Sequence, residues 1–205
     1  IEVLRQISPQ ARFKVAVFEL NAGNHALRRA LSNAHAINEL ERLGDDVPAV
    51  CSANCLQPYR QNENGWDQGL LFLDSSRVWA QPPYYVTQMV SAHYAPLRLE
   101  TEVECPPQTL DVTAKRSEDG RTMVLSVVNI APRPIETRIE FVNYSPQSDT
   151  AHVTTLTGGL EEINTPEQPK RIVPTQTSCP LSQDATGARI VYTFSANSFT
   201  ILRVR

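Results

Sequence analysis

Glu19 is the residue best placed to do chemistry. It closes an apolar run, Val15-Ala16-Val17-Phe18, and is followed by Leu20, Asn21, Ala22 and Gly23. A carboxylate in such a setting is costly to bury without a role or a partner. At the C-terminal end of a parallel strand it would stand where α/β barrels place their active sites, which points to catalysis. The other reading is a glutamate that caps the following helix or pairs with an arginine. Asn21 is next on the same side of an extended chain. It could orient Glu19 or a sugar hydroxyl, or serve only as an N-cap or Asx-turn residue.

A second group lies in the stretch Asn62-Glu63-Asn64-Gly65-Trp66-Asp67-Gln68. Trp66, set among amides and acids, suits stacking on a sugar; alternatively it pins a long loop onto its scaffold. Glu63 and Asp67 are candidate partners for Glu19, since glycoside hydrolysis normally needs two carboxyl groups. Acids in a polar loop also serve solubility alone. His25, His35, His93 and His152 are read as lacking a metal-ligand neighbour three or four residues on, with His35 a packing or surface residue inside a helix. Cys51, Cys55, Cys105 and Cys179 form no CxxC pair, and no histidine spacing completes a zinc site. Cys105 and Cys179 could pair as a disulfide; plain buried thiols are the alternative. No metal is expected, and neither a Gly-rich phosphate loop nor a GxSxG elbow is present.

The elements that would position these residues change character near residue 95. A helix end at 1–7 stops at Ser8-Pro9. A strand at 13–20, nearly all apolar, reads as buried on both faces. The turn 21–24 can supply a helix N-cap. A helix at 25–43 follows, with Leu27, Ala30, Leu31, Ala34, Ile37 and Leu40 on one face. Gly44 closes it, and a second buried strand spans 47–52. This βαβ order favours two parallel strands. A polar loop, short extended pieces within 69–80, and a helix started by Pro82-Pro83 complete this half. From 97 onward eight strands are expected at sandwich spacing, roughly 97–104, 109–116, 121–129, 134–141, 149–157, 171–178, 188–194 and 199–204. The fold class is therefore α/β plus all-β, divided at 95/96.

Composition excludes some partners. The net charge is −3 and no basic run exceeds Arg28-Arg29 or Lys170-Arg171, so no nucleic-acid footprint is present. No apolar stretch approaches the ~20 residues of a membrane span. The chain opens without Met in what looks like mid-helix, so a fragment, a trimmed product or a mature chain is expected. The sequon Asn143-Tyr144-Ser145, followed by Pro146, leans weakly toward a secreted or periplasmic location.

With these segments in place the chain resembles glycoside hydrolase family 51, the α-L-arabinofuranosidases. Four stretches carry the resemblance: VAVFELNAGNHALRRALSNA; DDVPAVCSANCLQP with the later LLFLDSSRVWAQPPYYVTQMVS; GLEEINTPEQPKRIVP; and YTFSANSFTILRV. The resemblance implies a (β/α)8 TIM barrel, of which residues 1–95 would be the last two strand–helix units. Residues 96–205 would be a jelly-roll-like antiparallel β-sandwich. It implies that Glu19 is the nucleophile of a retaining mechanism, acting on terminal α-L-arabinofuranosyl units of arabinan, arabinoxylan or arabino-oligosaccharides, without a cofactor. Gln68 roughly aligns with a sugar-contacting loop position. The acid/base glutamate of the family follows an Asn on a strand that would lie upstream of Ile1; Asn38-Glu39 sits within a helix, and Asn62-Glu63 follows the wrong strand. CSANCLQ replaces the family's Ser-Tyr-Ala-Pro-Leu pattern. The remainder of the barrel, upstream or on a second chain, is thus an expected partner, without which the 15–18 strand would be bare. Two other readings are a non-catalytic carbohydrate-binding or structural sandwich, and cleavage of β-linked glucans on the same fold.

Overall fold

The computed structural model describes residues 1–61, 67–106 and 109–205. A short helix, α1 (Glu2–Ile7), buries none of its residues. Strand β1 (Ala16–Leu20), helix α2 (Leu27–Arg42) and strand β2 (Ala49–Ser52) follow. The two strands run parallel, with Ala16 opposite Ala49 and Leu20 opposite Ser52, so their C-terminal ends lie side by side. Gly44, just past α2, adopts φ +58, the left-handed conformation that lets the chain leave a helix. Burial of β1 on both faces is not found within this chain. Phe18 is 77% exposed, because among the described residues β1 has only β2 as a strand neighbour.

Three short strands come next: β3 (Leu56–Pro58), β4 (Leu71–Leu73) and β5 (Val78–Ala80). They form their own sheet, β3 parallel and β5 antiparallel to the central β4. Helix α3 (Pro82–Ala92) starts at Pro82-Pro83, where a missing N–H does no harm.

The rest is β. One antiparallel sheet has the order β11 (Thr175–Pro180), β10 (Thr150–Thr157), β14 (Ser198–Val204), β8 (Met123–Asn129), β7 (Leu110–Arg116), β6 (Leu97–Leu99). A second holds β12 (Ser182–Asp184), β13 (Gly187–Phe194) and β9 (Ile135–Val142). Most of the eight expected strands are found within a few residues. The sixth is displaced to 175–180, beyond Pro174, and β12 is additional to the eight.

The larger sheet is covered on both sides, and side-chain alternation sorts its residues. Val124, Val128, Phe199 and Ile201 pack with Leu27, Leu31, Ala34, Val86 and Met89 of the two long helices. Met123, Leu125, Val127, Leu202 and Val204 pack with Ala188, Ile190 and Phe194 of the smaller sheet. The larger sheet thus stands between two apolar clusters, one shared with the helices and one with the smaller sheet. The cysteines are free thiols. Cys179 is buried on β11 and burial raises its pKa, while Cys105 lies in the chain leading to β7; no disulfide joins them.

Candidate active site

Glu19 occupies the next-to-last position of β1, level with the end of β2. Its side chain is exposed. Among the described residues it makes no ion pair and no hydrogen bond, so neither the capping nor the arginine-pairing alternative is seen there. Two residues on, the Asn21 Nδ2 group donates to Gln68 Oε1. Two of the residues singled out from the sequence thus meet directly, although 47 positions separate them. Trp66 and Glu63 lie outside the described residues.

Asn21 is not the cap of α2. The first N–H groups of that helix are satisfied from far along the chain: Leu27 N donates to Glu162 O at 3.0 Å and Arg28 N to Leu160 O at 2.8 Å. Asn24 makes the local turn, its Oδ1 accepting from Ala26 N at 2.9 Å while its backbone sits at φ +68. This conformation is one that Asn tolerates better than most residues.

The segment 67–69 is held by Gln57, which is 4% exposed. Its Oε1 accepts from Gln68 N at 2.9 Å and Gly69 N at 2.7 Å, and its Nε2 donates to Asp67 Oδ1 at 3.3 Å. Gly69 is required by this close approach, since a Cβ there would stand 2.5 Å from Gln57 Cβ. Asp67 also faces His25, with 2.9 Å between Oδ2 and Nδ1, although the pair is not aligned as a hydrogen bond. The imidazole stacks on Phe72 at 4.7 Å. Burial lowers the His25 pKa below 6.5, opposed by the Asp67 carboxylate, so the ring is neutral at neutral pH.

The residue that ties these pieces together is Arg29, 1% exposed. Its guanidinium donates to Asn24 O at 3.0 Å, to Ala53 O at 2.6 Å and to Gln68 O. Burial lowers its pKa to about 10, with Asp67 opposing; it remains charged. The sequence shows Arg28-Arg29 as a basic pair, yet the two differ: Arg28 is exposed and pairs with Glu161. Helical spacing from Ala26 to Asn33 and Ile37 puts Arg29 on the buried side, a signal that was available.

One correction concerns metal-ligand types. Glu39 is four residues beyond His35, and Asp111 of β7 approaches both. His35 Nδ1 is 3.2 Å from Asp111 Oδ2. The two carboxylates are already bridged by Arg42, at 2.5 Å from Glu39 Oε1 and 2.7 Å from Asp111 Oδ1. With Asn38 donating to Asp111 at 2.8 Å, the group ties α2 to β7.

Chemically, the arrangement offers a carboxylate, unpaired among the described residues, at the end of a parallel strand, with an amide pair held two residues beyond it. Comparison with known proteins gives the class first, that of glycoside hydrolases. The chain belongs to the family of α-L-arabinofuranosidase C-terminal domains, whose model matches residues 16–198. The resemblance to the C-terminal portion of family 51 is thereby borne out. Among curated proteins none matches the sequence. Similar solved structures include an α-L-arabinofuranosidase from Thermotoga maritima in complex with arabinose, at TM-score 0.76 and 20% identity, covering 93% of this chain and 43% of that one. An arabinose-bound family 51 α-L-arabinofuranosidase gives TM-score 0.75 and 21% identity, covering 89% and 28%. The family 51 enzyme from Xanthomonas axonopodis pv. citri gives 0.71 and 14%, covering 100% and 43%. At these identities the likeness is one of fold. The chain spans less than half the length of each.

Proposed function

We propose that this chain is the C-terminal portion of a retaining glycoside hydrolase that releases terminal α-L-arabinofuranosyl units from arabinan, arabinoxylan or arabino-oligosaccharides. Residues 1–95 supply the last two strand–helix units of a (β/α)8 barrel, and residues 96–205 the sandwich. Glu19 attacks the anomeric carbon. A second carboxylic acid, from the rest of the barrel, protonates the leaving oxygen and later activates water, about 5 Å from the nucleophile. Asn21 and Gln68 hydrogen-bond the sugar, and Trp66 stacks on it.

The observation that carries this reading is the placement of Glu19. It is a carboxylate at the C-terminal end of β1, level with the end of parallel β2. Barrel enzymes place catalytic groups at that end. The bare apolar surface supports the missing barrel: Phe18, Leu56 and Ile7 are 77%, 55% and 76% exposed, and a flat apolar strand left open invites association.

The test uses the longest polypeptide that carries this chain. Arabinose release from an aryl α-L-arabinofuranoside is compared between wild type and Glu19→Ala, with azide added to the variant. Loss of activity together with a glycosyl azide product is the expected result. Activity unchanged by Glu19→Ala removes the assignment, and inactivity on every glycoside tried favours a non-catalytic sandwich.

A further inference from the structure

A buried guanidinium needs a reason. Desolvating a cation is expensive, and among the described residues Arg29 has no carboxylate as a hydrogen-bond acceptor; its acceptors there are all backbone carbonyls. Those carbonyls belong to separate places: Asn24 after β1, Ala53 after β2, and Gln68 in the segment entering β4. An apolar side chain would fill the same space at lower desolvation cost but would leave three carbonyls without these donors. A planar fork with several N–H groups at fixed angles suits the task.

We infer that Arg29 is a positioning residue: its guanidinium fastens the loops after β1 and β2 to segment 67–69, and so fixes the Asn21–Gln68 amide pair two residues beyond Glu19. Gln68 is held on both peptide groups, its N–H by Gln57 Oε1 at 2.9 Å and its carbonyl by Arg29. Its side-chain oxygen accepts from Asn21. The direction of its amide is therefore set by Arg29 and Gln57 before any sugar arrives. Asn24, the other end of the short loop that carries Asn21, is held by the same guanidinium. A lysine carries the charge but not the fork, so it should restore the contact only in part.

This inference rests on the glycosidase reading, and the test separates the two. Arg29→Lys, Arg29→Met, Gln68→Ala and the double variant Arg29→Met/Gln68→Ala are made in the longest polypeptide that carries the chain. Hydrogen–deuterium exchange is measured beside kinetics on an aryl α-L-arabinofuranoside. In Arg29→Lys, amides at 21–25, 53–55 and 67–69 are expected to exchange faster while those of β8 and β14 do not change. Arg29→Met is expected to lose on the order of 100-fold in kcat/KM, the scale of a 1 Å misplacement, with Arg29→Lys between it and wild type. The double variant is expected to be little worse than the poorer single one, because Arg29 acts through Gln68. Unchanged exchange in the three loops overturns the fastening role. Faster exchange with unchanged kinetics, or losses that simply add, overturns the positioning role. A wild type inactive on every glycoside, with exchange still rising in the three loops, overturns the glycosidase reading and Arg29's part in it while leaving the clamp itself visible.

Discussion

Asn164 should be among the most sensitive residues of the chain. It is 1% exposed and lies in the irregular segment between β10 and β11. Its Nδ2 donates to Ala80 O at 2.8 Å and Ile172 O at 2.9 Å, and its Oδ1 accepts from Ile172 N at 2.8 Å. Asn164→Ala removes these bonds and leaves one buried N–H and two carbonyls without that partner. An orphaned buried group costs about 1–3 kcal/mol, so a total near 4 kcal/mol is expected, a large part of the ~5–15 kcal/mol that holds a domain together. At about 2–4 °C per kcal/mol for a chain of this size, the midpoint should fall by roughly 8–16 °C. Asn164→Asp has nearly the same shape and keeps the acceptor for Ile172 N. It also sets a carboxylate oxygen against two carbonyls in a buried site, so it should be at least as damaging as Ala. Denaturant unfolding followed by tryptophan fluorescence reads both variants. Trp79, 4% exposed, donates its indole N–H to Asn164 O at 3.2 Å and senses the seam directly. A loss under about 1 kcal/mol for Ala, or wild-type stability for Asp, would refute the reasoning.

Two further outcomes concern pH. His25 should titrate in an NMR experiment with a midpoint below 6.5, its ordinary value, because burial opposes the charge; Asp67→Asn should move it lower still. Since folding favours the neutral ring, stability falls as the pH drops from 6.5 through the folded-state value; a midpoint at or above 6.5 contradicts this. Asp74 is held down to about 2 by the Ser76 N–H first, then by the Arg77 and Ser76 side chains. Its contribution is complete above 3.8 and is lost as the pH falls toward 2. Acid unfolding of Asp74→Asn should therefore be flatter than wild type over that interval, and identical acid profiles would show that the turn between β4 and β5 plays no part.

Much of the fold was legible because local pattern and burial agree. The stripe from Leu27 to Ile37 gave α2, and Pro82-Pro83 marked the start of α3. Strands β8 and β14 have the residue types of strands, but their burial along nearly the whole length has a reason only the tertiary fold shows: one face meets the helices and the other the smaller sheet. The apolar run at 15–18 suits burial on both faces, whereas this chain leaves Phe18 open. Periodicity reports the burial a sequence is suited to, not whether its neighbours are in the same chain. At the site, Glu19 stood out because a carboxylate ending an apolar run is unusual. Arg29, Gln57 and His25 did not, because their partners are carbonyls and side chains that only the tertiary fold brings close. β12, three residues long, is too short for any periodic signal.

The segment 159–174, one of the stretches that carry the family resemblance, has a physical task that links sandwich to site. Asn164 fixes it against β5 and Ile172, while its backbone N–H and carbonyl meet Gln81 at 3.0 and 2.8 Å. Arg77 ties it to the β4–β5 turn through Pro166 O at 2.9 Å. So anchored, the segment offers the carbonyls of Leu160 and Glu162 to the first N–H groups of α2. Those groups would otherwise be unsatisfied, and the next residue is Arg29. The sandwich therefore sets where α2 begins, α2 sets where the Arg29 guanidinium lies, and the guanidinium joins the loops around Asn21 and Gln68. On this chain of contacts Asn164→Ala should loosen the amides of residues 21–25 as well as its own surroundings, so damage in the sandwich reaches a site that no sandwich side chain has to touch.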